Sequence, residues 1–360
     1  MASITSILTP ISWQSATTAP PTGLKDRGVG HLLLWGSLVL AVLLGSAYYV
    51  VLYMPEHSYS GPLSPLSATE LTVRDHLIQH VQTLAGEIGE RHIWRPATLD
   101  QAARYIEATW HAQGYRVARQ PFTVEGQTVH NLEVVLPGGS RRDEIVLVGA
   151  HYDTVPRSPG ANDNGTGTAA VLELARLLMG QQLPCTVRLV AFVNEEAPFF
   201  SHNTMGSWVY ARRSHTLGER IVAMLSVETI GYYSDVVGSQ HYPFPFGLFY
   251  PRTGNFIGFV GNIASRALVQ RSIAAFRQHT AFPSEGVAAP SWITGISWSD
   301  HWAFWQEGYP ALMVTDTALF RYAPYHTRAD TPEQINYDRM ARVVVGLARV
   351  VTTLAGAAVP

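Results

Sequence analysis

Short, almost wholly apolar segments recur along this chain, and stretches of helical periodicity separate them. Residues 144–150 (EIVLVGA), 186–193, 221–227 and 311–315 carry the pattern. A strand that alternates apolar with polar residues covers one face of a sheet, whereas a strand without alternation buries both. Helices are expected at residues 71–88, 99–113, 167–179, 206–213, 263–278 and 339–355. Residues 115–124 and 129–136 read as strands joined by a turn at Glu125-Gly126. This order predicts an α/β fold, a three-layer α/β/α sandwich around a mixed, mainly parallel central sheet. Apart from its helix, the stretch 243–290 offers no regular element.

A second constraint lies near the N-terminus. Residues 32–54 contain no charge and are long enough to cross a bilayer as a helix. Trp35 stands near one end and Tyr48, Tyr49 and Tyr53 near the other, as in an interfacial aromatic belt. Lys25 and Arg27 precede the run, so the positive-inside rule places a short N-terminal tail in the cytoplasm and the bulk of the chain outside. The expected organisation is a disordered cytoplasmic tail over 1–30, a single transmembrane helix over 31–54, a proline-bearing linker over 55–67 and one folded domain over 68–357. The competing reading is a cleaved signal peptide with Gly45-Ser46-Ala47 as the cleavage site. Its charged leader is long for that role, and apolar residues continue past the cut.

Composition removes several function classes. Net charge is −2 with no extended basic run, so nucleic acid is not an expected partner. Cys185 is the only cysteine, which rules out an internal disulfide and a cysteine-based zinc site.

Nitrogen and oxygen ligands are a different matter. His151 follows EIVLVGA, Glu195 and Glu196 follow RLVAFVN, and Glu228 follows AMLSV. Asp163 lies in the loop GANDNGTG before a helix, and His326 follows ALMVTD. In open α/β sheets, ligands bind beyond the carboxyl ends of the strands, where all of these residues are expected to fall. Zinc takes imidazole and carboxylate ligands, and two ions about 3.5–4 Å apart can clamp an attacking water and a substrate oxygen. Asp163 suits a bridge, because its two oxygens can each serve one ion. Glu195 and Glu196 are adjacent and would repel as free carboxylates. With one bound to metal, the other is left as a general base, and Glu195 takes that part. Asp153, two residues after His151, is expected to accept the second ring N–H of that histidine. Tyr325 is positioned to donate a hydrogen bond to a developing oxyanion.

The segments GAHYDTV, GANDNGTG, FVNEEAPFF with MGSWVYA, and SDHWAFWQEGYPALMVTDT with YHTRADT resemble the M28 zinc peptidases of the aminopeptidase type. The resemblance covers about residues 68–357. It implies a phosphorylase/hydrolase-like fold with a cocatalytic centre of two Zn2+ ions. His151 and Glu228 would then serve one zinc, Glu196 and His326 the other, with Asp163 as the bridge and Glu195 as the base. It also implies a cis peptide at Asp163-Asn164. The family commonly has Asp where this chain has Glu228. Asp300-His301 matches a motif near the substrate pocket, and the loop 197–205 is expected to line the cleft. Trp298, Trp302, Tyr250 and Phe246 are candidates for an apolar pocket.

These readings converge on a membrane-anchored aminopeptidase acting on peptides with a free N-terminus, whose ammonium Glu195 and Glu228 would meet. The alternatives are a one-zinc glutaminyl cyclase using Asp163, Glu196 and His326, and a non-catalytic surface binding protein on the same fold. A carboxypeptidase for C-terminal glutamate would need an arginine-rich pocket, which no segment of the sequence identifies.

Overall fold

A computed structural model describes residues 12, 14–15 and 26–356. The expected tail falls largely outside them. Helix α1 (Asp26–Val51) includes a stretch, His31–Val51, long and apolar enough to cross a membrane by length and composition.

From Tyr49 onward the chain forms one compact unit. Its sheet has eight strands: β1 (Ala118–Val124), β2 (Gln127–Leu136), β3 (Arg141–His151), β4 (Cys185–Phe192), β5 (Arg220–Glu228), β6 (Ile257–Gly261), β7 (Ser284–Ala288) and β8 (Ala311–Thr315). They lie in the order β1-β2-β4-β3-β5-β8-β6-β7. The central strands β4, β3, β5 and β8 are parallel, β1 and β2 add an antiparallel edge, and β6 turns antiparallel to β8. The sheet is therefore mixed and mainly parallel at its centre, as expected.

The apolar strands bury both faces. In β3, Val146, Val148 and Ala150 enter the larger core, while Ile145 and Leu147 enter a smaller one. Helices α2 (Ala68–Val81), α4 (Gly167–Leu178), α6 (Arg266–His279) and α8 (Tyr337–Gly356) cover the first face. Helices α5 (Gly206–Thr216) and α7 (His301–Gln306) cover part of the second. Ser67 opens α2 with a capping box closed by Glu70. Helix α3 (Pro96–Ala112) packs beside α4 and β2.

The sequence reading is amended at three places. The helix expected over 71–88 is α2 followed by a wider turn, Gln82–Ile88. Strands β6 and β7 lie inside the stretch that offered only a helix. Helix α7, at the Asp300-His301 motif, was not foreseen.

Arg91, fully buried, ties the loops at the carboxyl end of the sheet together. Its Nε donates to the Tyr152 carbonyl at 2.6 Å, Nη1 to those of Leu84, Gly89 and Pro159, and Nη2 to that of Gly160 at 3.0 Å. Burial pulls this guanidinium down to about 10, so it remains charged at neutral pH. Arg91→Met removes every one of these donors and strands buried carbonyls. Unfolding in denaturant is expected to show a loss of at least about 3 kcal/mol, and an unchanged midpoint would refute the role.

Candidate metal centre

β3 lies between β4 and β5; the chain passes from β3 to β4 through α4 and from β4 back across β3 to β5 through α5, so a crevice opens where these connections diverge. His151 ends β3 and Glu228 ends β5, both at that crevice. Glu195 and Glu196 follow β4, and His326 arrives on the loop after β8. Asp163 comes from the segment Ala161–Thr166 before α4. Gly160 at its entrance has φ +64°, and a Cβ there would press on the Thr154 side chain and the Asp163 carbonyl. The Asp163-Asn164 peptide is cis.

The side chains converge in two groups. His151 Nε2 lies 3.4 Å from Asp163 Oδ1 and 3.2 Å from Glu228 Oε2. His326 Nε2 lies 2.9 Å from Asp163 Oδ2 and 3.3 Å from Glu196 Oε2. In each group, the potential ligand atoms sit within 4.8 Å of one another, and Asp163 belongs to both. Glu195 Oε2 stands 3.8 Å from His151 Nε2. His151, Glu195 and Glu196 form a third group of the same tightness.

Charge is out of balance here. Burial pushes Glu228 up to about 7 against the pull of His151. Burial and then the Asp163 charge push Glu196 up to about 7 against His326. Burial also lifts Glu195 well above the carboxylate range, opposed by His151 and reinforced by Glu196 and Glu228. Burial disfavours the charge on Asp163 too, but the imidazoles of His151 and His326 beside it outweigh it and hold the group low. Asp163 and Glu196 move in opposite directions because Asp163 has both imidazoles and Glu196 depends mainly on one. Burial works against charge on both histidines, yet the carboxylates win. They raise His151 well above its usual value and bring His326 to about 11. Buried carboxylates outnumber the cations that could neutralise them.

The backbone around the cluster is strained. Asn194, Thr229 and His326 adopt positive φ of 60°, 43° and 58°, a region non-glycine residues rarely occupy. Asn194 precedes Glu195, Thr229 follows Glu228, and His326 is itself a candidate ligand.

Several supporting groups were not anticipated. Asp330 accepts from the amides of Asn162 at 2.7 Å and Asp163 at 3.1 Å. Asp316 accepts from Asn162 Nδ2 at 2.9 Å. Asn164 donates to the Val227 carbonyl at 2.8 Å, and Ser299 donates to Glu228 Oε2 at 2.8 Å. Asp330 and Asp316 stand inside the segments YHTRADT and MVTDT, and Asn162 and Asn164 flank Asp163. Those segments were the available signal.

The expected Asp153 contact is made differently. His151 Nδ1 is 3.2 Å from the Asp153 main-chain carbonyl, and the carboxylate stands back at 3.6 Å. That carboxylate instead accepts from the amides of Glu195 at 3.1 Å and Glu196 at 3.3 Å. The reason is that β3 ends at His151, so strand alternation does not carry through to residue 153.

A pocket abuts Glu228 and Tyr325. Phe246, Tyr250 and Trp298 line it as expected, together with Tyr242 and Phe320. Trp302 does not, and packs instead on Trp208 and Phe200. The loop 197–205 is also absent from the lining, and its Phe199 stacks on Trp94. Tyr325 stacks on His326 with ring centroids 3.8 Å apart. Burial raises its phenol far above the usual range, so it stays a donor at neutral pH. His301 Nε2 meets the Ile296 carbonyl at 2.8 Å, tethering the loop that carries Trp298.

Comparison with known proteins agrees with this architecture. Residues 131–351 match Peptidase family M28. The Escherichia coli K12 protein YfbL is 39% identical over 259 residues, covering 69% of this chain and 78% of its own. A probable leucine aminopeptidase 1 of Trichophyton verrucosum is 28% identical, covering 60% of this chain, and this chain spans 56% of that relative. Among solved structures, the zinc aminopeptidase BSAP of Bacillus subtilis superposes with TM-score 0.64 at 15% identity, over 79% of this chain and 95% of its own. A glutaminyl cyclase of Fimbriiglobus ruber superposes with TM-score 0.59 at 20% identity, over 82% and 97%. The last two are likenesses of fold. The match over residues 131–351, which takes in the strand ends that carry the acid cluster, makes this chain a member of peptidase family M28.

Proposed function

We propose that this protein is a dizinc aminopeptidase, held to a membrane by the helix at His31–Val51, with its catalytic domain outside the cytoplasm. The observation that carries the reading is the position of Asp163, whose two oxygens face separate histidine–carboxylate groups.

The residues fit zinc. The donors are imidazole nitrogens and carboxylate oxygens, as that ion prefers. Glu196 Oε1 is buried without a hydrogen-bond partner, and so is Asp163 Oδ2 by geometry despite its closeness to His326. Metal ligands bind deprotonated, so cations here would relieve the excess of buried carboxylates. His151 and Glu228 would hold one ion, Glu196 and His326 the other, and Asp163 would bridge. Bound there, zinc supplies Lewis acidity that acidifies water and polarises a carbonyl.

The chain's own residues do the rest. Glu195 accepts a proton from the attacking water and returns it to the departing amine, while Asp153 fixes its backbone. Tyr325 donates from its phenol toward the carbonyl oxygen as negative charge develops there. Glu228 and Glu195 leave negative potential for the substrate ammonium, and the apolar pocket beside them receives the first side chain.

Likeness to a glutaminyl cyclase favours a second reading, in which Asp163, Glu196 and His326 hold a single zinc. Metal content of the full chain, purified in detergent, separates the two. Two zinc ions per chain are expected. One would favour the cyclase, and none would remove the enzyme reading.

A further inference from the structure

The pocket beside the acid cluster lies over the sheet, under loops and the short 3-10 turns Phe246–Leu248 and Ala318–Phe320. Its floor is one row across the strands. Glu228 of β5 pairs with Thr315 of β8, Thr315 with Gly258 of β6, and Gly258 with Glu285 of β7. Residues paired in this way point to the same face, and all four line the pocket. Strands lie about 4.8 Å apart, so the row spans roughly 14 Å from the metal-side carboxylate to Glu285. Gly258 keeps the middle open, because a Cβ there would already stand 3.2 Å from the Thr315 carbonyl.

Glu285 is out of character with its surroundings. The walls are aromatic and aliphatic, yet this residue brings a carboxylate to the far end. The cation whose charge acts on it, Arg277, makes its hydrogen bonds elsewhere. The guanidinium donates to Ser284 Oγ and to the carbonyls of Pro55, Glu56 and Ser284. Burial raises the Glu285 carboxyl, and the Arg277 charge and a Ser58 hydrogen bond oppose it. A desolvated carboxylate of this kind gains when a cation arrives.

We infer that this pocket receives the side chain of the substrate's N-terminal residue, and that Glu285 selects a cationic one, arginine or lysine. The inference rests on the aminopeptidase reading and names its substrate class. An arginine or lysine side chain reaches on the order of 7 Å from its Cα. With the Cα over Thr315, one strand spacing in from Glu228, that reach and one hydrogen bond of about 3 Å cover the two remaining spacings, about 10 Å, to Glu285. The aliphatic stem lies along the apolar floor, between walls that include Tyr242, Phe246 and Trp298. A leucine would fill the near half and leave Glu285 without a counter-charge.

The test is the ratio of kcat/KM for arginyl and leucyl anilides, measured on the full chain in detergent. Wild type is expected to favour arginine and lysine by about tenfold or more, and Glu285→Gln to cut that ratio at least about tenfold. Glu285→Asp should restore part of it, and Glu285→Lys should turn the preference toward acidic residues. A ratio unmoved by these changes, in an enzyme that cleaves anilides, overturns the inference and leaves the aminopeptidase reading intact. If no anilide is cleaved, binding of argininamide and norleucinamide by calorimetry decides. Tighter argininamide binding that is lost in Glu285→Gln upholds the subsite, and equal binding overturns it.

Discussion

Glu195→Gln is expected to lower kcat by about 10^2–10^4-fold while the metal content stays unchanged. The amide keeps the size of the side chain and its place on the backbone amide that donates to Asp153. It cannot accept the proton. Glu195 is the carboxylate of the cluster placed farthest from a committed pairing. It stands 3.8 Å from His151, while Glu228 stands at 3.2 Å and Glu196 lies 3.3 Å from His326. A variant with wild-type turnover would remove Glu195 from the base role. One that loses metal would make it a ligand instead.

The second large effect is expected at Asp163. Asp163→Asn removes the negative charge of the residue shared by both groups and replaces one of its oxygens with a donor. At least one ion should be lost, with activity down by more than about a hundredfold, since even residues behind metal ligands cost 10–100-fold. The main chain at this position is held by Asp330 through the amides of Asn162 and Asp163, so the loop should keep its shape. Metal content by elemental analysis, alongside unfolding of the metal-free protein, separates ligand loss from misfolding. Retention of both ions by a stably folded variant would contradict the bridge.

What was legible in the sequence follows from burial. Strands β3, β5 and β8 bury both faces and so announce themselves without alternation, and their ends deliver His151 and Glu228. β6 and β7 are short, contain glycine, and face loops instead of a helix on one side, so neither period shows in them. Arg91 and Asp330 could not be read because they act on main-chain groups 61 and 167 residues away, contacts that leave no local pattern. Ser299 reaches Glu228 across 71 residues for the same reason. Asp153 shows a different limit, since its partner is inferred from strand geometry that ends at His151, two residues before it. The pocket aromatics were visible as candidates, but which of them face a cavity depends on packing. Trp298 does so, and Trp302 finds Trp208 instead.

The most direct test of the central claim is hydrolysis of a panel of aminoacyl anilides by the full chain in detergent, with and without a chelator. The account expects release that the chelator abolishes and added zinc restores. A zinc-loaded protein that frees no anilide from any aminoacyl substrate, but cyclises peptides with N-terminal glutamine, would contradict it.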